Sequence, residues 1–341
     1  MDEVIKTVLF KEVMALEKNE LWLKIQEILG AKLEETEELL QDYTVSNVVI
    51  MQDLMDHIVS SSGKRLRPIL LLLSGSFKPV HSENLIRAAA AVELIHTASL
   101  IHDDILDESQ ERRGKPSINA LWGNRLAVLA GDFLFSRAFE LVALCRNYEL
   151  LKVLSRAIGT MCEGEIEQVR FAFNLQLNEQ QYMQNIYRKT AALMEACCSA
   201  GGRLAGLDDA AVLQLEAYGR NLGLAFQITD DILDITGESL ITGKPVGNDL
   251  REGIITLPLI YVLEDPIWGP YLKESIEKRD FSPSTLEFLQ HPSCINEPLK
   301  RSLNKARLCL ETAREYLSGF TGTVEGEILD SLAGYVLQRK L

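Results

Sequence analysis

Positive charge is scarce in this chain. Its 341 residues carry 35 Lys and Arg against 49 Asp and Glu, a formal net charge of −14. That balance argues against a general nucleic-acid binder and against docking on an anionic membrane surface. It leaves room for a phosphorylated ligand wherever cations collect locally. Cysteine is sparse too: Cys145, Cys162, Cys197, Cys198, Cys294 and Cys309 show no CxxC spacing and no His pairing of the zinc kind. Most lie in apolar helical pattern, where a free Cys packs as a small core residue. Long apolar runs are missing; the strongest, Ile69 to Leu73, falls far short of a membrane span. The opening Met1-Asp2-Glu3-Val4 lacks the basic start and apolar stretch of a signal peptide. The expectation is a reduced, cytoplasmic protein with no integral membrane segment.

Proline is absent from residues 1–67 and again from 117–244. Because proline breaks helix interiors, such tracts, rich in Ala, Leu, Glu and Gln, predict successive helices. Apolar residues recur at three- and four-residue spacing in Glu12–Leu29, Leu33–Leu40, Val48–Ser60, Glu83–Asp107, Asn124–Cys145 and Tyr182–Gly201. Alternating strand pattern is nearly absent. Breaks fall at 60–63, 111–116 and 237–253, none long enough for an interdomain linker. The pattern predicts one all-α domain over 1–341 with ten or more helices, and assigns no role to the segment after Tyr261.

One local echo stands out. Asp-Asp-Ile-Leu-Asp occurs at 103–107 and again at 230–234. On a helix, i and i+4 share a face, so Asp103 and Asp107 crowd their carboxylates near a helix C-terminus, where the macrodipole disfavours negative charge. A solvated acidic turn would account for one such cluster. Two identical copies, each preceded by an apolar helix face, are better explained by divalent cations. Mg²⁺ takes one or two carboxylates and completes its octahedron with water and substrate phosphates. Two facing clusters would hold a diphosphate between them. The cations gather where such a ligand needs them: Gly63-Lys64-Arg65-Leu66-Arg67-Pro68 precedes the first cluster, and Arg112-Arg113-Gly114-Lys115 follows it. Arg suits bidentate phosphate contacts.

From about Gly63 to Tyr261 the sequence resembles the trans-isoprenyl diphosphate synthases, or polyprenyl synthetases. Leu100 to Asp107 followed by Arg112 to Pro116 looks like that family's first aspartate-rich motif, and Gln227 to Asp234 like its second. Gly63-Lys64 through Pro68, and Lys189-Thr190 between the motifs, fall in family order. The resemblance implies an isoprenoid synthase fold, a single large helical bundle around a deep central cavity, usually as a dimer. It implies sequential condensation of isopentenyl diphosphate onto an allylic diphosphate such as farnesyl diphosphate, with Mg²⁺ at the cavity mouth, three per active site. Asp103, Asp107 and Asp230 would bind the metals, supported by Asp104, Asp231 and Asp234. Arg112, Lys189 and Lys244 would hold the allylic diphosphate. Lys64, Arg67, His96 and Arg113 resemble the isopentenyl diphosphate site. Thr190 and Gln227 would line the ionisation site, and Gln227 shares a helix face with Asp231 and Asp234. His96 lies two turns before Asp103 on one face, so it should border the cavity.

One position departs from the pattern. Where many members have Lys in Gly-Lys-x-Thr, this chain reads Gly253-Ile254-Ile255-Thr256. The resemblance associates variation there with catalytic subunits of two-component heptaprenyl diphosphate synthases, so a small non-catalytic partner enters the expectations. In the family that this chain resembles, the residues one turn before the first Asp shape the tunnel for the growing tail; here they are Ala98 and Ser99, both small, so the resemblance implies a tunnel open to a C30–C40 product of the quinone side-chain kind. The competing expectation sets the tunnel floor elsewhere, at Phe133 or Phe135. A geranylgeranyl diphosphate synthase would share the chemistry with a shorter tunnel. A terpene cyclase should lack the Gly63-to-Pro68 site, and a non-catalytic subunit should have lost aspartates.

Overall fold

A computed structural model describes residues 2–59, 63–79, 82–112, 114–236, 248–282 and 284–337, with side chains from Glu20 onward and excepting Asn248. Fifteen α-helices appear among the described residues: α1 (Asp2–Tyr43), α2 (Val49–Val59), α3 (Leu66–Ser74), α4 (Ser82–Leu106), α5 (Ile118–Trp122), α6 (Asn124–Leu144), α7 (Tyr148–Phe171), α8 (Glu179–Ile186), α9 (Ala192–Leu204), α10 (Asp209–Thr236), α11 (Asn248–Arg251), α12 (Leu257–Leu263), α13 (Gly269–Lys278), α14 (Pro292–Tyr316) and α15 (Val324–Leu337). The fold is all-α. Strand structure among these residues is confined to β1 (Glu111–Arg112) and β2 (Lys115–Pro116), an antiparallel pair at one of the expected breaks.

Two long helices organise the packing. The middle of α4, Ala88 through Val92, is apolar all round and has no exposed surface, which fits a helix enclosed by others. It packs mainly on α6 and also meets α3, α1, α5 and α9. By length and mean hydropathy, 1.2 over 18 residues, α4 could cross a membrane, yet 67% of that window is buried within the protein. α10 lies between α9 and α14. Both helices end close to an aspartate-rich run.

The structure alters two expected boundaries. Glu12–Leu29 and Leu33–Leu40 belong to one helix, α1. Gly30 costs a helix interior about 1 kcal/mol, but Leu21, Ile25, Leu29, Thr36 and Leu40 form one buried face across it. The stretch expected as a single helix over Tyr182–Gly201 is instead interrupted by a π-helical turn, Tyr187–Ala191. Pro258, Pro270 and Pro292 sit in the first turns of α12, α13 and α14, where the missing N–H costs nothing, whereas Pro298 lies inside α14. Side-chain caps start α7 (Asn147) and α8, where Asn178 and Gln181 form a capping box.

Candidate active site

α4, α7, α8, the π turn, α10 and α15 surround a cavity of about 820 Å³. Asp103 and Asp107 enter it from the end of α4, and Gln227, Asp230 and Asp231 from α10. Lys189 and Thr190 enter from the π turn, and Lys64, Arg67, His96, Ser99 and Arg112 complete the set of expected residues on its wall. The two aspartate-rich runs, far apart in sequence, therefore meet at one cavity.

The acidic rim is electrostatically crowded. Burial first, then Glu165 and Asp107, push the Asp103 carboxyl up to about 7, with Lys189 opposing them. Lys189 stands 3.2 Å from Glu165 and donates to Gln168 at 3.1 Å. Burial alone would lower its ammonium, but Glu165, Asp103 and Asp107 outweigh it and keep the ammonium protonated. Such a rim, made of hard oxygen donors and short of compensating charge, fits a divalent cation of the Mg²⁺ type. Among the described residues no three His, Cys, Asp or Glu side chains converge as a closed metal cluster.

A hydrogen-bond chain crosses from the π turn to α8. The Thr190 hydroxyl donates to Gln227 Oε1 at 2.6 Å, Gln227 Nε2 donates to Asp231 Oδ1 at 2.8 Å, and the Tyr182 hydroxyl donates to Asp231 Oδ2 at 2.7 Å. Burial, followed by nearby Asp249, pushes the Asp231 carboxyl well above its ordinary range, while Tyr182 and Gln227 pull it down. With Nε2 committed to Asp231, the Gln227 carbonyl is turned toward Thr190 at the cavity wall.

The π turn owes its place to two glycines. A Cβ on Gly164 of α7 would lie 3.0 Å from the Lys189 amide nitrogen and 2.8 Å from Arg188 Cβ, and one on Gly223 of α10 would lie 2.5 Å from Ala191 Cα. Both flanking helices thus approach the backbone that carries Lys189 and Thr190. A π turn widens the helix by one residue, a distortion that recurs at functional sites.

In the same cavity, Arg67 Nη1 lies 2.9 Å from His96 Nε2, and the Lys64 ammonium donates to the Tyr335 hydroxyl at 2.6 Å. Three of the four groups that the resemblance would place in one diphosphate subsite, Lys64, Arg67 and His96, line this cavity.

Several expected residues stand elsewhere. Asp104 is turned from the large cavity and buried against Arg112, whose Nε lies 2.7 and 2.8 Å from its two oxygens. It orients Arg112 instead of facing Asp103 and Asp107, because i+1 on a helix points about 100° away. Asp234 is off the cavity wall, one turn beyond Asp230. Ala98 has no exposed surface and is not on the wall, whereas Ser99 is. Phe133 packs under Arg137 and Phe135 against His102; neither lines the cavity, so neither forms its floor. Arg113 and Lys244 lie outside the described residues. Ile254, the departure from the family pattern, does line the cavity.

Sequence reasoning missed Trp22, Glu165, Gln168, Tyr182, Asp249, Glu252 and Tyr335, all at or beside this cavity. Tyr182 had a signal: it precedes Lys189 by seven residues, two helical turns. The others had none.

A sequence model of the polyprenyl synthetase family matches residues 48–290. The chain is 32% identical over 312 residues to heptaprenyl diphosphate synthase component 2 of Bacillus subtilis, covering 92% of this chain and 89% of that one. With component 2 of Geobacillus stearothermophilus the identity is 43% over 209 residues, spanning 61% of this chain and 65% of that protein. The fold is similar to a crystal structure of polyprenyl synthase from Caulobacter crescentus complexed with calcium and isoprenyl diphosphate, with a TM-score of 0.88, 35% identity, and coverage of 93% and 98%.

Proposed function

Because this chain belongs to the polyprenyl synthetase family, a family of prenyltransferases, we propose that it is a Mg²⁺-dependent polyprenyl diphosphate synthase. In this reading it joins isopentenyl diphosphate head-to-tail (1′-4) to an allylic diphosphate, with farnesyl diphosphate as primer and a C30–C40 product, heptaprenyl favoured, for quinone side chains. One observation carries the proposal: two aspartate-rich runs and the Lys64–Arg67–His96 cluster line the same cavity, so two diphosphates have separate places to sit.

The reaction breaks the allylic C1–O bond, forms a bond from C1 to C4 of isopentenyl diphosphate, and loses a proton from its C2. Inorganic diphosphate leaves. Asp103, Asp107 and Asp230 would hold Mg²⁺, three ions in all, which when bound would neutralise the departing diphosphate. Lys189 and Arg112 supply fixed cations for the same charge, and preorganised charge of this kind commonly does most to lower such a barrier. Arg112 is aimed by Asp104, and Lys189 by Glu165 and Gln168. Lys64, Arg67 and His96 bind and orient the second diphosphate. The Gln227 carbonyl and Thr190 present partial negative charge near the ionising carbon. Leu100, Met161, Phe171, Ile186 and Phe226 exclude water around the tail.

A companion subunit is the second reading. Ile254 on the wall removes one cation that the resemblance would place there, and two relatives are named as components of a synthase. Exposed Leu121, Val128, Leu129 and Phe139 on α5 and α6 support the homodimer implied by the resemblance. The free thiols suit a reducing, cytoplasmic setting. The test is to incubate the purified chain with Mg²⁺, farnesyl diphosphate and labelled isopentenyl diphosphate and size the dephosphorylated products. Products of C30 or longer are expected. A folded chain that binds diphosphate without elongating it would sink the self-sufficient reading and favour a missing subunit.

A further inference from the structure

Lys64 and Tyr335 come from opposite ends of the chain, 271 positions apart. Lys64 follows α2, and Tyr335 lies in the last turn of α15. The ammonium donates a 2.6 Å hydrogen bond to the phenol oxygen and stands 5.4 Å from the ring centroid. Trp22 of α1 meets the same ring edge-on, at 5.7 Å and 84°. Tyr335 is 6% exposed, and all three side chains border the cavity that also holds Arg67 and His96.

We propose that Tyr335 is a positioning residue for the isopentenyl diphosphate subsite, aiming the Lys64 ammonium into the cavity before the ligand arrives. The identity of the ligand rests on the function proposed above. The chemistry of the acceptor is what distinguishes this lysine. Lys189 is held by a carboxylate and Arg112 by another, so part of their charge is spent inside the protein. A phenol oxygen is a neutral acceptor. It takes one of three N–H donors and leaves the full positive charge, with two donors, for a diphosphate. An unanchored Lys has a flexible four-carbon stem whose rotamer freedom would be lost on binding. Here that ordering is done in advance, and Trp22 fixes the ring that does it. The geometry also gives α1 and α15 a part in the site, although both lie outside the run of motifs.

The test compares wild type with Tyr335→Phe in the full chain, which keeps the ring and its packing on Trp22. The expected result is a rise of about tenfold in KM for isopentenyl diphosphate, with kcat and the KM for farnesyl diphosphate within twofold of wild type. Calorimetric binding of isopentenyl diphosphate alone should weaken by the same factor. In a Lys64→Gln background, adding Tyr335→Phe should cause no further loss. An unchanged KM and affinity, or a loss spread equally over both substrates and kcat, overturns the proposal. Wild type that binds isopentenyl diphosphate without condensing it would overturn the self-sufficient synthase reading, while the binding comparison still decides the role of Tyr335. Wild type that binds none overturns both.

Discussion

Gly223 of α10 and Ala191 at the end of the π turn approach so closely that a Cβ on the glycine would lie 2.5 Å from the Ala191 Cα. The neighbour is backbone and cannot rotate away. Four residues along α10, Gln227 accepts the Thr190 hydroxyl at 2.6 Å. The glycine therefore sets the spacing across which the ionisation-site pair is made.

Gly223→Ala is expected to push the π turn off α10 and break the Thr190–Gln227 hydrogen bond. Overpacking of this kind costs about 1–3 kcal/mol, readable in urea melts. Turnover should fall at least about tenfold, the order of one lost hydrogen bond in the transition state. Wild-type turnover in a destabilised Gly223→Ala protein would show that the pair does not serve the reaction.

Asp103→Asn separates stability from turnover. Burial, with Glu165 and Asp107 beside it, drives the Asp103 carboxyl up to about 7. At pH 8 in chelator its ionised form is therefore a liability to the fold. The variant should melt higher than wild type without metal and lose most of its stabilisation by added Mg²⁺, while turnover falls at least about a thousandfold. A lower metal-free melting temperature would mean that Asp103 is well compensated within the protein.

What was legible in the sequence is what helix geometry repeats locally. Asp103 and Asp107 on one face, His96 two turns below them, and Gln227 four residues before Asp231 all follow from a 3.6-residue period, and the structure brings them to one cavity. Asp104, which the resemblance groups with the metal-holding aspartates, points about 100° away from Asp103 on that same period and meets Arg112 from the hairpin instead. The π turn was illegible, since Tyr187-Arg188-Lys189-Thr190-Ala191 reads as ordinary helix and only the close approach of Gly164 and Gly223 distinguishes it. Tyr335 could not be assigned, because its meeting with Lys64 depends on how α15 returns to α1. The sequence pairs Ala98 with Ser99 as tunnel positions, whereas rotation about α4 puts only Ser99 on the wall.

Acid should loosen the C-terminal third through Glu179. Burial alone would raise this carboxyl, but the Lys305 and Tyr261 hydrogen bonds hold it below the ordinary range. Those partners, at 2.6 and 2.7 Å, tie the start of α8 to α14 and α12. A folded pKa below the unfolded one means that the stabilisation is present above about pH 4.5 and is lost as pH falls through the folded value. The group is 37% exposed, so solvent screening limits the gain to less than about 1 kcal/mol. Glu179→Gln should be less stable than wild type at pH 7, with the gap closing below pH 4. A gap that is constant from pH 7 to pH 3 would assign the loss to packing instead.

Product length should answer to Ser99 and Met161. Ser99 lies on the cavity wall four residues, about 6 Å, deeper than Asp103 along α4. Met161 lies ten residues, about 15 Å, deeper than Phe171 along α7. An isoprene unit reaches roughly one helical turn, about 5.4 Å, so a bulky ring at either position should remove at least one unit of growth. Ser99→Phe and Met161→Phe are expected to shorten the longest product by five carbons or more, with Ser99→Phe the stronger block because it stands nearer the reacting carbon. Ala98→Phe is the control: fully buried and off the wall, it should destabilise the α4 packing by about 1–3 kcal/mol without a graded change in length. Chromatography of the dephosphorylated products decides. Full-length products from Ser99→Phe would mean that the growing tail leaves the cavity by a route that does not pass α4.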